Sequence, residues 1–116
     1  MVSPISPAAK ELVMYTRTTP CPFVSLAKRV LDAEQIPYRE LFIDHDKTYE
    51  QRVLNWTGFL SVPTLIIAWV GQDLPYIEPS LLPKDTSPRG EDRGPMLTEP
   101  NEDQLRNWLR KHALLG

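Results

Sequence analysis

Glu11-Leu12-Val13-Met14-Tyr15-Thr16-Arg17-Thr18-Thr19-Pro20-Cys21-Pro22-Phe23 sets the architecture of this chain. Its first six residues are a short, mostly apolar run of the kind that forms a buried strand. Arg17 to Pro22 hold two prolines and two threonines, a loop that delivers the chain to a helix. Pro22 suits the first helical position, where its missing N–H costs nothing and its fixed φ is already helical. Phe23, Leu26, Ala27, Val30 and Leu31 then recur at helical spacing. Gln35-Ile36-Pro37 ends the helix, because a residue before proline is biased away from the helical region. Tyr38 to Ile43 predicts a second strand. A strand, a helix and a strand make a crossover, so the two strands should be parallel and the connection right-handed.

Downstream, Asp44-His45-Asp46 reads as a turn with Asp46 as an N-cap. Tyr49, Val53 and Trp56 mark one face of a second helix, and Gly58 suits its end, where the backbone needs positive φ. Thr64 to Val70 is the most apolar run and predicts a central strand. Gly71-Gln72-Asp73 is a turn. Leu74 to Ile77 predicts a weak fourth strand, at an edge because Pro75 cannot donate to a ladder. Residues 78–100 carry Pro79, Pro83, Pro88, Pro95 and Pro100 and predict a long irregular loop. Asn101 and Gln104 form a capping box that opens a last helix, with Leu105, Trp108 and Leu109 facing the core. Trp56, Trp69 and Trp108 read as core residues, and His45 and His112 as surface residues.

At 116 residues the chain has room for one core. Residues 1–10, with two prolines, predict a flexible tail, and residues 11–116 a single domain. A net charge of -2 offers no basic footprint for nucleic acid and no polybasic patch for a membrane. No apolar run approaches the ~20 residues of a membrane span. The opening residues lack the basic and apolar regions of a signal peptide. A single cysteine forms no internal disulfide, which points to a reducing cytoplasm. A monomer is expected, with no metal site.

That cysteine carries the chemistry. A thiol at a helix N-terminus faces unpaired backbone N–H groups and the positive end of the helix dipole, and both favour thiolate. Arg17 adds positive charge nearby. The alternative is a small buried hydrophobe, the usual state of a free cysteine, but the place between two prolines at a strand-to-helix turn favours the reactive reading. One helical turn later stands Val24, where a resolving thiol would have to be. Exchange at Cys21 would therefore be monothiol, a second molecule's thiol releasing the product. The competing possibility is that chemistry is lost and the domain only binds.

Three stretches give a family likeness. Val13-Met14-Tyr15-Thr16 with Cys21-Pro22-Phe23 resembles the opening motif of glutaredoxins, Phe23 to Gln35 their first helix, and Gly58-Phe59-Leu60-Ser61-Val62-Pro63 their G-x-x-[TS]-V-P motif. The resemblance implies an α/β, thioredoxin-like fold of glutaredoxin type: a four-stranded mixed sheet flanked by three helices. It implies a thiol–disulfide oxidoreductase whose nucleophile is Cys21, with Arg17, Pro22, Phe23, Val62 and Pro63 binding substrate and the Val62–Pro63 bond cis. The implied partners are protein disulfides and glutathione or a similar small thiol, used as a co-substrate and not tightly bound. The sequence departs from the pattern twice: Val24 replaces the second cysteine, and Pro100 and Asn101 replace the glycines that open the family's last helix. With those glycines gone, Arg89 or Arg93 in the 78–100 loop is expected to offer a fork for the thiol's carboxylate. Two further possibilities stay open, a non-catalytic binding module and a carrier that shares an iron–sulfur cluster between two chains.

Overall fold

A computed structural model describes residues 9–115. Its order is β1 (Lys10–Thr16), α1 (Pro22–Ala33), β2 (Tyr38–Phe42), α2 (Lys47–Thr57), β3 (Thr64–Trp69), β4 (Met96–Thr98) and α3 (Glu102–Lys111). The four strands form one sheet in the order β2-β1-β3-β4. β1 runs parallel to β2, as the crossover requires, and β3 is antiparallel to both of its neighbours. β1 starts at Lys10, inside the span expected as a tail. Residues 1–8 of that expected tail lie outside the described residues.

Leu12 to Thr16 of β1 are all buried, so both faces of the sheet are covered. On one face, Tyr49 and Trp56 of α2 meet the Tyr15 ring edge-on, with centroids 5.9 and 5.1 Å away. α1 and α3 pack against each other and are joined by the Glu34–Arg106 ion pair. From α3, Leu105, Trp108 and Leu109 enter the core; burying one such leucine contributes about 2 kcal/mol.

The helix ends follow local chemistry. Asp46 caps α2 by accepting from the Thr48 N–H at 2.8 Å, and Gly58 closes it at φ 79°. At α3, Asn101 accepts from the Gln104 N–H at 2.8 Å while the Gln104 side chain accepts from the Asn101 N–H at 2.9 Å. The end of α1 differs from the expected proline stop. Gln35 turns left-handed at φ 57°. Its N–H bonds the Asp32 carbonyl and the Ile36 N–H the Leu31 carbonyl. This is a Schellman closure with glutamine in the usual place of glycine, and it finishes before Pro37 acts.

The fourth strand is not the expected one. Leu74 to Ile77 make a single rung on β3, from the Tyr76 N–H to the Ile67 carbonyl at 2.9 Å, and Pro75 has no N–H with which to extend it. The chain then leaves the edge and returns at Pro95, whose carbonyl accepts from the Ile67 N–H at 2.9 Å. Met96 to Thr98 form β4 there, within the span expected to be wholly irregular. Proline does not prevent this, because Pro95 contributes only its carbonyl.

The excursion between β3 and β4 is tied down along its second half. Arg93 is 7 % exposed, and its guanidinium donates to the Trp56 carbonyl at 2.6 Å and the Ser80 carbonyl at 2.7 Å. The Trp108 indole donates to the Gly94 carbonyl at 2.8 Å, and the Lys111 ammonium pairs with Asp92 at 2.7 Å. Gly90 donates to the Thr98 carbonyl at 2.7 Å. It lies so close to the Gln104 side chain that a methyl group in its place would stand 2.5 Å from Nε2. Pro88, Pro95 and Pro100 are buried.

Two aromatic and histidine expectations change as well. Trp69 is 37 % exposed, since β3 runs past the edge of the core there, and the Lys10 ammonium lies 5.4 Å from its ring. His112 is only partly exposed; its ring stands against Trp108 with its Nε2 at 2.8 Å from the Gly94 carbonyl.

Candidate active site

Cys21 is the N-cap of α1, with extended backbone at φ −150° and ψ 124°, and no side chain caps that end. Pro22 sits at the first helical position, so the first amide hydrogen that would need a partner does not exist. The Phe23 and Val24 N–H groups at this end have no helical acceptor. They leave a positive end beside the half-buried sulfur.

The loop in front of Cys21 is held from β2's exit. The Asp44 carboxylate accepts from both the Thr18 N–H, at 3.0 Å, and the Thr18 hydroxyl. Those bonds hold the Asp44 carboxyl below the usual range for an aspartate. Sequence reading treated Asp44 only as a turn residue; an aspartate directly after a strand, level with the cysteine loop, was the available signal.

Across from Cys21 the chain turns from α2 into β3. The Val62–Pro63 peptide bond is cis. The Cys21 Sγ points at the Val62 carbonyl oxygen, 3.8 Å away. The Ser61 carbonyl accepts from the Thr64 hydroxyl at 2.9 Å, and the Pro63 carbonyl from the Glu99 N–H at 2.9 Å. These bonds fix the 61–63 turn from both sides.

A cleft of about 370 Å³ opens here, with Cys21, Arg17, Val62, Arg89 and Glu99 among its walls. The structure thus brings together four of the residues singled out in the sequence: Arg17, Cys21, Val62 and Arg89. The Arg17 Nε is buried and without a hydrogen-bond partner. Pro22 is exposed at the helix start and Pro63 is buried behind Val62. Phe23 acts indirectly, as a platform for the Arg89 guanidinium 4.7 Å from its ring centre.

Arg93 does not belong to this cleft. Its Nε and Nη1 donate to the Ser80 and Trp56 carbonyls, and burial pushes its guanidinium below the usual arginine range. The expectation that it offers a free fork is corrected: it anchors the loop from within. Glu99 was missed. Its place directly before Pro100, at the mouth of the last helix, was the only sequence signal.

Phe59 and Leu60 form an exposed apolar lip at the same cleft, 62 % and 48 % accessible. Among the described residues no group of three histidine, cysteine or carboxylate side chains is arranged to hold a metal ion. Cys21 is the only cysteine in the sequence, so one chain offers one thiol; the cluster-carrier alternative takes one from each of two chains and two from small thiols. No helix of the described residues is long and apolar enough to cross a membrane.

A mixed four-stranded sheet flanked by three helices, with a thiol at the first helix's N-terminus facing a cis-proline turn, defines a thioredoxin-like domain. Within that class, the glutaredoxin family model matches residues 12–69, half of the chain, and the chain belongs to the glutaredoxin family. No curated protein matches it.

Proposed function

We propose that this glutaredoxin-family domain is a monothiol thiol–disulfide oxidoreductase acting on mixed disulfides between proteins and a low-molecular-weight thiol, glutathione being the first to try. The observation that carries this reading is the Cys21 sulfur, uncapped at the α1 N-terminus and open to the cleft beside Val62.

In the first step the Cys21 thiolate attacks the small-thiol sulfur of the mixed disulfide. A new S–S bond joins Cys21 to the small thiol, and the protein's sulfur leaves as thiolate and takes a proton from water. In the second step the thiolate of another small-thiol molecule attacks the small-thiol sulfur of that bond. Cys21 is released as thiolate and the small thiol departs as its own disulfide, so one disulfide is consumed and one formed. Helix N–H groups stabilise the Cys21 anion before attack and on release. The Val62 backbone beside the sulfur would offer the substrate chain a strand-like edge, its carbonyl exchanging the Cys21 contact for the substrate's N–H. Arg17 offers a cationic partner for a carboxylate of the small thiol. A reducing, cytoplasmic setting suits this cycle, because the resolving thiol must come from solution.

The test is exchange of a glutathionylated peptide with free glutathione, with mass spectrometry of the trapped protein. Wild type should release the peptide thiol and carry one glutathione on Cys21; Cys21→Ser should do neither. A wild-type protein as inert as Cys21→Ser would replace this reading with a non-catalytic binding module.

A further inference from the structure

β2 lends no wall to the cleft, yet its exit reaches the reacting cysteine. Asp44 stands two residues beyond β2 on an exposed corner. One of its oxygens, Oδ2, accepts both donors of Thr18, the backbone N–H at 3.0 Å and the hydroxyl. Thr18 is itself an exposed loop residue, 26 positions away in the chain. Two donors of one residue on one oxygen fix its direction as well as its distance.

What lies between Thr18 and α1 is stiff. Pro20 and Pro22 have fixed φ, and the residue before each, Thr19 and Cys21, is biased to extended backbone. Cys21 shows this, at φ −150° and ψ 124°. The far end of the segment is fastened where the Ser25 N–H donates to the Cys21 carbonyl at 2.9 Å. Asp44 fastens the near end. Residues 18–22 are therefore a strut, with Cys21 at one end and a carboxylate from β2's exit setting the other. We infer that Asp44 is a positioning residue for Cys21: by holding Thr18 it keeps the sulfur against the uncapped N–H groups of α1 and beside the Val62 carbonyl. The other way a carboxylate acts on a thiol is through its charge, and that effect has the opposite sign, because an anion opposes thiolate formation. The inference rests on the exchange reading for what Cys21 does and adds what holds it ready.

The test labels the full chain with iodoacetamide across a pH series and reads the pH midpoint of the labelling rate. Wild type, Asp44→Asn, Asp44→Ala and Thr18→Val are compared. Arg17, Arg89 and Glu99, the charged groups that share the cleft with the sulfur, are the same in each. Asp44→Ala removes both tether and charge. Its midpoint should rise, by the equivalent of about threefold less thiolate at neutral pH. Asp44→Asn removes the charge alone, since one amide oxygen can take both Thr18 donors, and its midpoint should lie at or below that of wild type. Thr18→Val keeps only the N–H bond and should fall between wild type and Asp44→Ala. Circular dichroism checks that each variant is folded; were Asp44→Ala not, Thr18→Val carries the test. A midpoint that falls in both Asp44 variants, one that moves in neither, or an Asp44→Asn midpoint as high as that of Asp44→Ala overturns the inference. Labelling involves no disulfide. A wild type that shows this pattern but fails to exchange a glutathionylated peptide loses the exchange reading and keeps the strut. A wild type that exchanges without the pattern loses the strut alone.

Discussion

The sulfur of Cys21 lies 3.8 Å from the carbonyl oxygen of Val62, so the thiol at the start of α1 and the backbone edge before β3 share one small space. A reagent reaches that sulfur through the cleft without the fold opening. Iodoacetamide should therefore label Cys21 stoichiometrically in the native protein at neutral pH. S-methylglutathione should slow the labelling. Labelling that appears only in denaturant would place the sulfur beyond the reach of any disulfide.

Val24 stands at the third position of α1 and is 6 % exposed. Val24→Cys puts a second thiol one turn from Cys21, and an internal disulfide is expected to close. The expected outcome is a loss of two hydrogen atoms in mass as mild oxidant takes up the two electrons, and about 1 kcal/mol of lost stability in the reduced form, from the smaller core side chain. Two free thiols persisting under oxidant would show that the pair is held too far apart.

Removing the Arg93 guanidinium leaves the Trp56 and Ser80 carbonyls without their donor. Arg93→Gln should cost about 3 kcal/mol in chemical denaturation, the range for charged hydrogen bonds lost from a buried site. It should also expose residues 84–94 to limited proteolysis before the rest of the domain unfolds. An unchanged denaturation midpoint would mean that the excursion is held by its other contacts alone.

His112 gives the fold a pH dependence of known sign. Burial pushes its imidazole below the ordinary value, against the bond to the Gly94 carbonyl, which pulls the other way; the neighbouring Lys111 lowers it further and Asp92 opposes. The unfolded chain therefore takes up the proton first as pH falls through the ordinary histidine value of about 6.5. Stability should be full above that value, fall as pH drops below it, and level off once the folded imidazole is protonated too. Denaturation midpoints measured between about pH 5 and pH 8 should show this step, and His112→Gln should flatten it. A step that survives in His112→Gln would assign it to another group.

What the sequence disclosed was what local chemistry specifies. Pro22, Asp46, Gly58 and the Asn101–Gln104 pair each announce a helix end through their own backbone or side chain, and each stands where it was expected. The G-x-x-S-V-P spacing likewise pointed to the turn opposite Cys21. The remainder depends on partners distant in the chain. β4 is three residues long and exists because β3 has an unfilled edge. Arg93 looks like a solvated charge in Arg89-Gly90-Glu91-Asp92-Arg93-Gly94, and the carbonyls of Trp56, on α2, and of Ser80 draw it inside. Glu99 gained its place in the cleft from the Pro63 carbonyl, an acceptor no local pattern reveals.

The close seat of Gly90 against Gln104 ties two parts of the chain into one heritable unit. Gln104 completes the cap of α3 and, with the same side chain, fills the space any larger residue at position 90 would need. A shorter or longer excursion grafted from a relative would arrive without this fit and would unsettle the last helix as well as the cleft. Mutational drift at the two positions should therefore be correlated, with glycine retained wherever the glutamine is. A recombinant swapping residues 78–100 would need to carry the first turn of α3 along with it.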